Sequence, residues 1–247
     1  MRFFKDLAAG VPGRDVIPPF PPRTRPGARG LRGLSGPSAR WFGALGEEQT
    51  PVLIPGIPRA ISGPSPDPGT FRKLRISTGS RGTDETLDAM ADMSLEAAED
   101  PYFVSYFREV VKDCPARDYY CIAQTLLDWS KSNIKYVNDS LTCELVQSPG
   151  YLSFVSGRGD CDCLSCQLAA AFLACGLGAG YKAIATNANN PSEFSHVFAL
   201  AGIPTPSGVR WLAADAVMDP MGPAILGQEP PESAYVMRPN VKIIASP

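Results

Sequence analysis

These 247 residues contain a single histidine, no internal repeat, no apolar run long enough to cross a bilayer and no strong excess of either charge. Each absence removes a class of answer. A histidine base, if the chain uses one, must be His196. A membrane helix needs ~20 consecutive apolar residues; the longest candidate, residues 168–181, is rich in Ala and Gly and is closed by Lys182. The amino terminus turns charged within Met-Arg-Phe-Phe-Lys-Asp, before a secretory apolar region can form, so no signal peptide is expected. Net charge is −2, which argues against a nucleic-acid-coating role for the core. Seven cysteines, an odd number without regular spacing, do not read as a disulfide framework, and reduced thiols in a cytoplasmic setting are the default.

What is abundant is unevenly placed. Residues 1–62 carry nine Lys/Arg against four Asp/Glu, and residues 63–247 fourteen against twenty-one. Prolines and glycines recur from Val11 to Pro68 too often for helix or sheet, so residues 1–70 read as an extended basic arm. Such a segment favours polyproline conformers that lie along a partner, with Phe20, Trp41, Phe42, Leu53 and Ile54 as anchors; a disordered, solvated tail is the plainer alternative. Residues 71–220 read as the folded domain and residues 221–247 as a Pro-rich extension with a last strand near 241–245.

Within the domain, Thr83 can cap a helix with an acidic first turn and an apolar stripe of Leu87, Met90, Ala91, Leu95 and Ala98. Pro101 suits the first turn of a second helix with Phe103, Phe107, Val110 and Val111 inward. Tyr119, Ile122, Ala123, Leu126 and Trp129 repeat the 3.6-residue period in a third. A short strand at Ile134-Lys-Tyr-Val and an irregular crossing over 138–159 lead to Gly159-Asp-Cys-Asp. Residues 161–175 then form a helix with Leu164, Leu168, Ala171, Phe172 and Cys175 on one face, stopped by Gly176 and Gly178. Beyond it the period drops to two, and 181–186, 194–201 and 209–217 read as strands.

The chemistry concentrates at Cys161. A thiol at a helix amino terminus beside an imidazole has its pKa lowered from ~8.5 toward ~3.5–7.5. The unpaired N–H groups of the same turn can also receive an oxyanion. Alternation sets Phe194, His196 and Phe198 on one face of a strand; a lone His in such a setting is often a satisfied core residue, and that alternative stands. Asp215 on the next strand is the candidate to orient the imidazole. Direct opposition to His196 requires Gly202 to pair with Val209, with 203–208 as the loop. Asp219 is the reserve.

The order Trp129-Ser-Lys-Ser-Asn-Ile-Lys-Tyr-Val, Glu144-Leu-Val-Gln-Ser-Pro, Gly159-Asp-Cys-Asp, Phe194-Ser-His-Val and Trp211-Leu-Ala-Ala-Asp resembles the transglutaminase-like superfamily from Gly82 to Pro220. The resemblance implies an α+β, papain-like core: N-terminal helices and a Cys-bearing helix packed on an antiparallel sheet carrying His and Asp. Matched by motif, these are Cys161, His196 and Asp215. It implies a cysteine peptidase or amidase acting on a peptide or protein through an acyl-enzyme, with no cofactor. Gln147 is the candidate for the second oxyanion donor that family members supply upstream of the Cys. The Glu-Leu-Val-Gln-Ser-Pro stretch is similar to that of bacterial and bacteriophage members. That similarity raises the alternative of a minor virion protein docking through residues 1–70, in the cytoplasm or on a particle. One departure matters: Cys163 stands where the family often has a second Asp. It creates Cys161-x-Cys163-x-x-Cys166, which with His196 invites a Cys₃His zinc reading. Positions i, i+2 and i+5 of one helix point about 200° and 140° apart at ~100° per residue, which opposes convergence. The remaining cysteines, Cys114, Cys121, Cys143 and Cys175, read as small core residues.

Overall fold

The computed structural model describes residues 71–73, 80–138, 145–189, 193–217 and 222–247, all within one compact unit. The arm expected over residues 1–70, Cys143 and the reserve candidate Asp219 lie outside the described residues. Chain order is β1 (Phe71–Lys73), α1 (Ser80–Glu99), α2 (Pro101–Val110), α3 (Tyr119–Asn133), β2 (Lys135–Tyr136), β3 (Leu145–Gln147), α4 (Pro149–Tyr151), β4 (Arg158–Gly159), α5 (Cys161–Ala174), β5 (Gly178–Ile184), β6 (His196–Thr205), β7 (Gly208–Ala214) and β8 (Asn240–Ala245). Among the described residues no helix is long and apolar enough to cross a membrane.

The helices form for the reasons their sequences give, with three differences, the first being that α1 begins at Ser80, so Thr83 lies within the helix and does not cap it. Asp100 caps α2 by accepting from Phe103 N, Pro101 occupies its first turn, and Phe103, Tyr106 and Phe107 are buried. Asp118 caps α3 in the same way through Cys121 N. In α1, Leu87, Met90 and Ala91 are buried, but Leu95 is 41 % exposed and Met93 and Ser94 turn inward instead. The reason is a polar network that replaces the expected apolar contact. Ser94 Oγ donates to Cys166 O (2.9 Å) and meets Tyr181 OH (2.6 Å), tying α1 to α5 and β5. The last difference is α5 itself, buried around nearly its whole circumference rather than along one stripe. It lies against α1, α2, α3 and the sheet strands β5 and β6, which explains its Ala-rich, hydrophobic-all-round composition.

The main sheet is antiparallel in the order β7-β6-β5-β8. Residues 222–247 pack on the preceding elements, and the last strand expected near 241–245 is β8: it pairs along β5, Gly227 N bonds Ala213 O, and Gln124 holds both Ala224 O and Leu226 N. The irregular crossing before Cys161 also contains structure. Its Leu-Val-Gln stretch is β3, paired with β1, and Arg158-Gly159 pairs in parallel with Lys135-Tyr136.

The β6–β7 hairpin corrects the expected register. Gly202 pairs with Trp211, not Val209, and the turn is the two residues 206–207 between Thr205 and Gly208. Two causes are visible. Gly208 takes φ +122, a conformation that favours glycine, and Thr205 Oγ1 donates to Gly208 O at 2.8 Å, closing the shortest type of hairpin. The Trp211 ring also lies across Gly202 and Gly178, where an added Cβ would come within 2.8 and 3.1 Å of it. The displacement from the expected pairing is two residues, so each side chain keeps its face.

A second correction concerns the thiols. Cys114 and Cys121 form a disulfide with Cα atoms 5.8 Å apart, so reduced thiols and a core role do not hold for this pair. The turn between α2 and α3 brings the two positions within bridging distance. An odd count conceals a single bridge of this kind.

Two outcomes follow from these contacts. Gly202→Ala should cost about 1–3 kcal/mol through collision with the Trp211 ring, read as a lowered urea midpoint at unchanged slope. Under non-reducing conditions a peptide map should recover Cys114 linked to Cys121. The double alanine variant should lose about 2–3 kcal/mol, the value for so short a loop.

Candidate active site

The start of α5 is fixed by three independent contacts. Asp160 is its N-cap, with extended backbone, and accepts from Cys163 N at 3.4 Å; Asp162 Oδ1 accepts from the same N–H at 2.5 Å. Upstream, Lys135 N bonds Gly157 O and Val137 N bonds Gly159 O, so β2 holds the chain immediately before Asp160. From the other side, the Cys163 thiol donates to Leu145 O (3.3 Å) and accepts from Gln147 N (3.4 Å) on β3. Gly159 is required here, because an added Cβ would stand 2.6 Å from Cys163 Cβ.

With the helix start held, Cys161 opens onto a cleft of about 540 Å³ that His196 also lines. One wall is α1, through Thr83, Thr86, Leu87 and Met90; the other is the chain running into β6, through Glu193 to Val197. His196 Nε2 lies 2.6 Å from Asp215 Oδ2. Because a carboxylate accepts, Nε2 carries the hydrogen and Nδ1 is the other ring position. Asp215 is fully withdrawn from solvent, and its second oxygen accepts from Val217 N at 2.8 Å, so its orientation is set from both ends. The observed register ends with Ala199 paired to Ala214, so Asp215 follows directly after β7, where the same register continued would set it opposite Phe198, two residues along the same face from His196. The contact is diagonal instead of direct, within reach of two extended polar side chains. His196 also packs on Phe198, with ring centroids 6.0 Å apart.

The other sequence candidates divide. Gln147 is buried away from the cleft: its amide donates to Arg158 O (2.8 Å) and accepts from Ser156 Oγ (2.5 Å). That corrects its candidacy as an oxyanion donor; the amide instead braces the turn ahead of β4. The cysteines of the zinc reading do not converge. Cys163 addresses β3, Cys166 donates to Met90 O on α1, and Cys161 faces the cleft. Burial pushes the Cys163 thiol up, the neighbouring Asp162 and Asp160 adding to the effect, so it stays protonated. Asp160, Asp162 and Cys163 do bring potential ligand atoms within 4.8 Å of one another, but two of them share the Cys163 amide as helix caps.

Tyr136 is a cleft residue that sequence reasoning missed. The parallel β2–β4 register sets it beside Gly159, two residues before Cys161, and it lines the cleft at 42 % exposure. Its hydroxyl donates to Asn138 Oδ1 at 2.7 Å. Partial burial, with Cys161, Asp160, Asp162 and Asp215 nearby, pushes its pKa up to about 12. The phenol therefore remains a hydrogen-bond donor throughout the range in which a thiol ionises. The available signal was the aromatic within Ile134-Lys-Tyr-Val, but nothing in strand alternation says that it meets a helix 25 positions later.

No protein-family model and no curated protein matches the chain. Among solved structures, one from Cytophaga hutchinsonii described as a "Putative Cysteine Protease" aligns at TM-score 0.36 and 16% identity. The alignment covers 51% of this chain and 40% of that one, so it spans less than half of that protein's length.

Since Cys163 points into β3, Cys163→Ser should leave alkylation of Cys161 by iodoacetamide within about threefold of the parent while costing about 1–3 kcal/mol of stability for a buried hydroxyl. Intact-mass kinetics and chemical denaturation on one sample read both.

Proposed function

We propose that the chain is a transglutaminase-like thiol enzyme, a cysteine peptidase or amidase working through an acyl-enzyme. The observation that carries this reading is the 2.6 Å His196–Asp215 contact at the rim of the cleft onto which Cys161 opens. A core histidine would satisfy itself with a backbone carbonyl or remain among apolar groups; this one has a buried, doubly held carboxylate behind it. The α5 amino terminus and the motif order from Gly82 to Pro220 support the same assignment.

In the proposed reaction the thiol proton passes to His196 Nδ1, and the Cys161 thiolate attacks an amide or ester carbonyl carbon. The C–S bond forms as the carbonyl π pair moves to oxygen. The tetrahedral intermediate collapses when the imidazolium protonates the leaving nitrogen or oxygen and the C–N or C–O bond breaks. Water, deprotonated by His196, then attacks the thioester carbonyl; collapse of that second intermediate releases the acid and restores the thiol. Asp215 keeps Nε2–H bonded throughout, which fixes the tautomer and stabilises the imidazolium. The Tyr136 hydroxyl, turning its one O–H from Asn138 Oδ1 to the oxyanion, supplies the side-chain donor, the role first considered for Gln147.

Near pH 6, iodoacetamide should label Cys161 ahead of the other free thiols. His196→Ala should slow that labelling on the order of 10²-fold, the gain in thiolate expected from an ion pair. Tyr136→Phe should leave it intact yet lower release of p-nitrophenol from p-nitrophenyl acetate by about 10²-fold, as for loss of one oxyanion donor. If Cys161 reacts no faster than Cys175, the enzyme reading fails.

A further inference from the structure

The α1 wall of the cleft takes no part in the proposed reaction, and its chemistry points to how substrate is held, an inference that rests on the thiol-enzyme reading. The wall is one stripe of the helix: Gly82, Thr83, Thr86, Leu87 and Met90, spaced as neighbours on a single face, border the cleft onto which Cys161 opens. Farther along α1, Ser94 Oγ donates to Cys166 O on α5 and meets Tyr181 OH on β5. The stripe is thereby held in place relative to the helix that carries Cys161.

The stripe changes character at Thr86. Leu87 and Met90 are buried apolar residues, and with Ala183 and Val197 they give this part of the cleft an apolar floor. Thr86 stands beside them only 9 % exposed, yet none of the described residues hydrogen-bonds its hydroxyl. A hydroxyl within a helix can satisfy itself on the carbonyl one turn back, as Ser105 does on Pro101 O and Ser165 on Cys161 O. Thr86 does not. Nor is its oxygen sealed in without a partner, as Ser153 Oγ and Gln167 Nε2 are; its open side is the cleft. Helical side chains lean toward the amino terminus, which carries Thr86 over Gly82, where no side chain stands in the way. A valine would fill the same volume on that floor with no polar atom to desolvate, so the hydroxyl has a use that packing does not supply.

One hydroxyl beside an apolar floor matches one residue of a polypeptide, an apolar side chain with a main-chain amide next to it. A charged side chain would be desolvated on Leu87 and Met90 with a single hydroxyl to answer it, and a wholly apolar ligand would leave that hydroxyl unmatched. A threonine oxygen accepts as well as donates, so an amide N–H is a fitting partner. We infer that the cleft holds the substrate residue whose carbonyl Cys161 attacks, its apolar side chain on Leu87 and Met90 and its main-chain N–H donating to Thr86 Oγ1.

Two chloromethyl ketones read this hydrogen bond: that of acetyl-leucine, and the ester analogue in which oxygen replaces its N–H. In each, the Cys161 sulfur attacks the methylene carbon, a C–S bond forms and chloride leaves with the electron pair. Rates at Cys161 come from peptide mass spectrometry, each divided by the rate of the same reagent with 2-mercaptoethanol. The amide should then exceed the ester about fivefold, the worth of one neutral hydrogen bond. Thr86→Val should bring this ratio to unity, and Thr86→Ser should keep it. The glycine analogue of the amide probe should alkylate Cys161 about tenfold more slowly than the leucine one, because it places no side chain on the floor. The ratio compares two reagents on one protein, so a variant that folds less completely lowers both rates and leaves the ratio readable. A parent ratio of unity, a Thr86→Val ratio equal to the parent's, a Thr86→Ser ratio as low as that of Thr86→Val, or a glycyl probe as fast as the leucyl one each overturns the inference. Iodoacetamide separates the two levels. Selective labelling of Cys161 without amide preference defeats the subsite alone, and absence of selective labelling defeats the thiol reading beneath it.

Discussion

The cleft depends on where α5 begins. A helix amino terminus leaves N–H groups unpaired, and this one is closed at a single amide, Cys163 N, by carboxylates from both Asp160 and Asp162. The Cys163 side chain anchors the same turn against β3, and the parallel pairing of β2 with β4 delivers the chain to the cap. Cys161, between the two carboxylates, faces the cleft that Asp160 and Asp162 also line. Cys163, where the motif that the sequence resembles often has an acidic residue, is part of this anchor. A carboxylate in its place would stand buried next to two others, while a thiol whose pKa is raised by that burial accepts and donates without carrying charge.

How much of this was legible in the sequence differs element by element. The helices were readable because their caps and stripes are local: Asp100, Pro101 and Asp118 act within three residues of themselves. Leu95 misled because what replaces it, Ser94 on Cys166 O and Tyr181, depends on partners more than 70 positions away. The His196–Asp215 pairing was legible through parity, which survives a two-residue change of register. The register itself was not, because Thr205-Gly208 closure and the seat of Trp211 on Gly202 and Gly178 are tertiary facts. Gln147 and Tyr136 exchanged standing for a similar reason. Both precede the cysteine on short strands, and only the pairing of β3 with β1 and of β2 with β4 decides which side chain reaches the cleft.

The same geometry constrains how the thiol can ionise. On the proposed reading, a bare thiolate at Cys161 would face Asp160 and Asp162 at close range, with about half a unit of helix charge in its favour. The helix charge and the carboxylates oppose one another there, so the proposal relies on His196 for the nucleophile. Proton transfer to His196 changes the sign of the problem: the imidazolium is attracted both to the thiolate and to Asp215, which is held in place by Val217 N. The carboxyl groups that oppose an isolated thiolate stabilise the imidazolium that accompanies it.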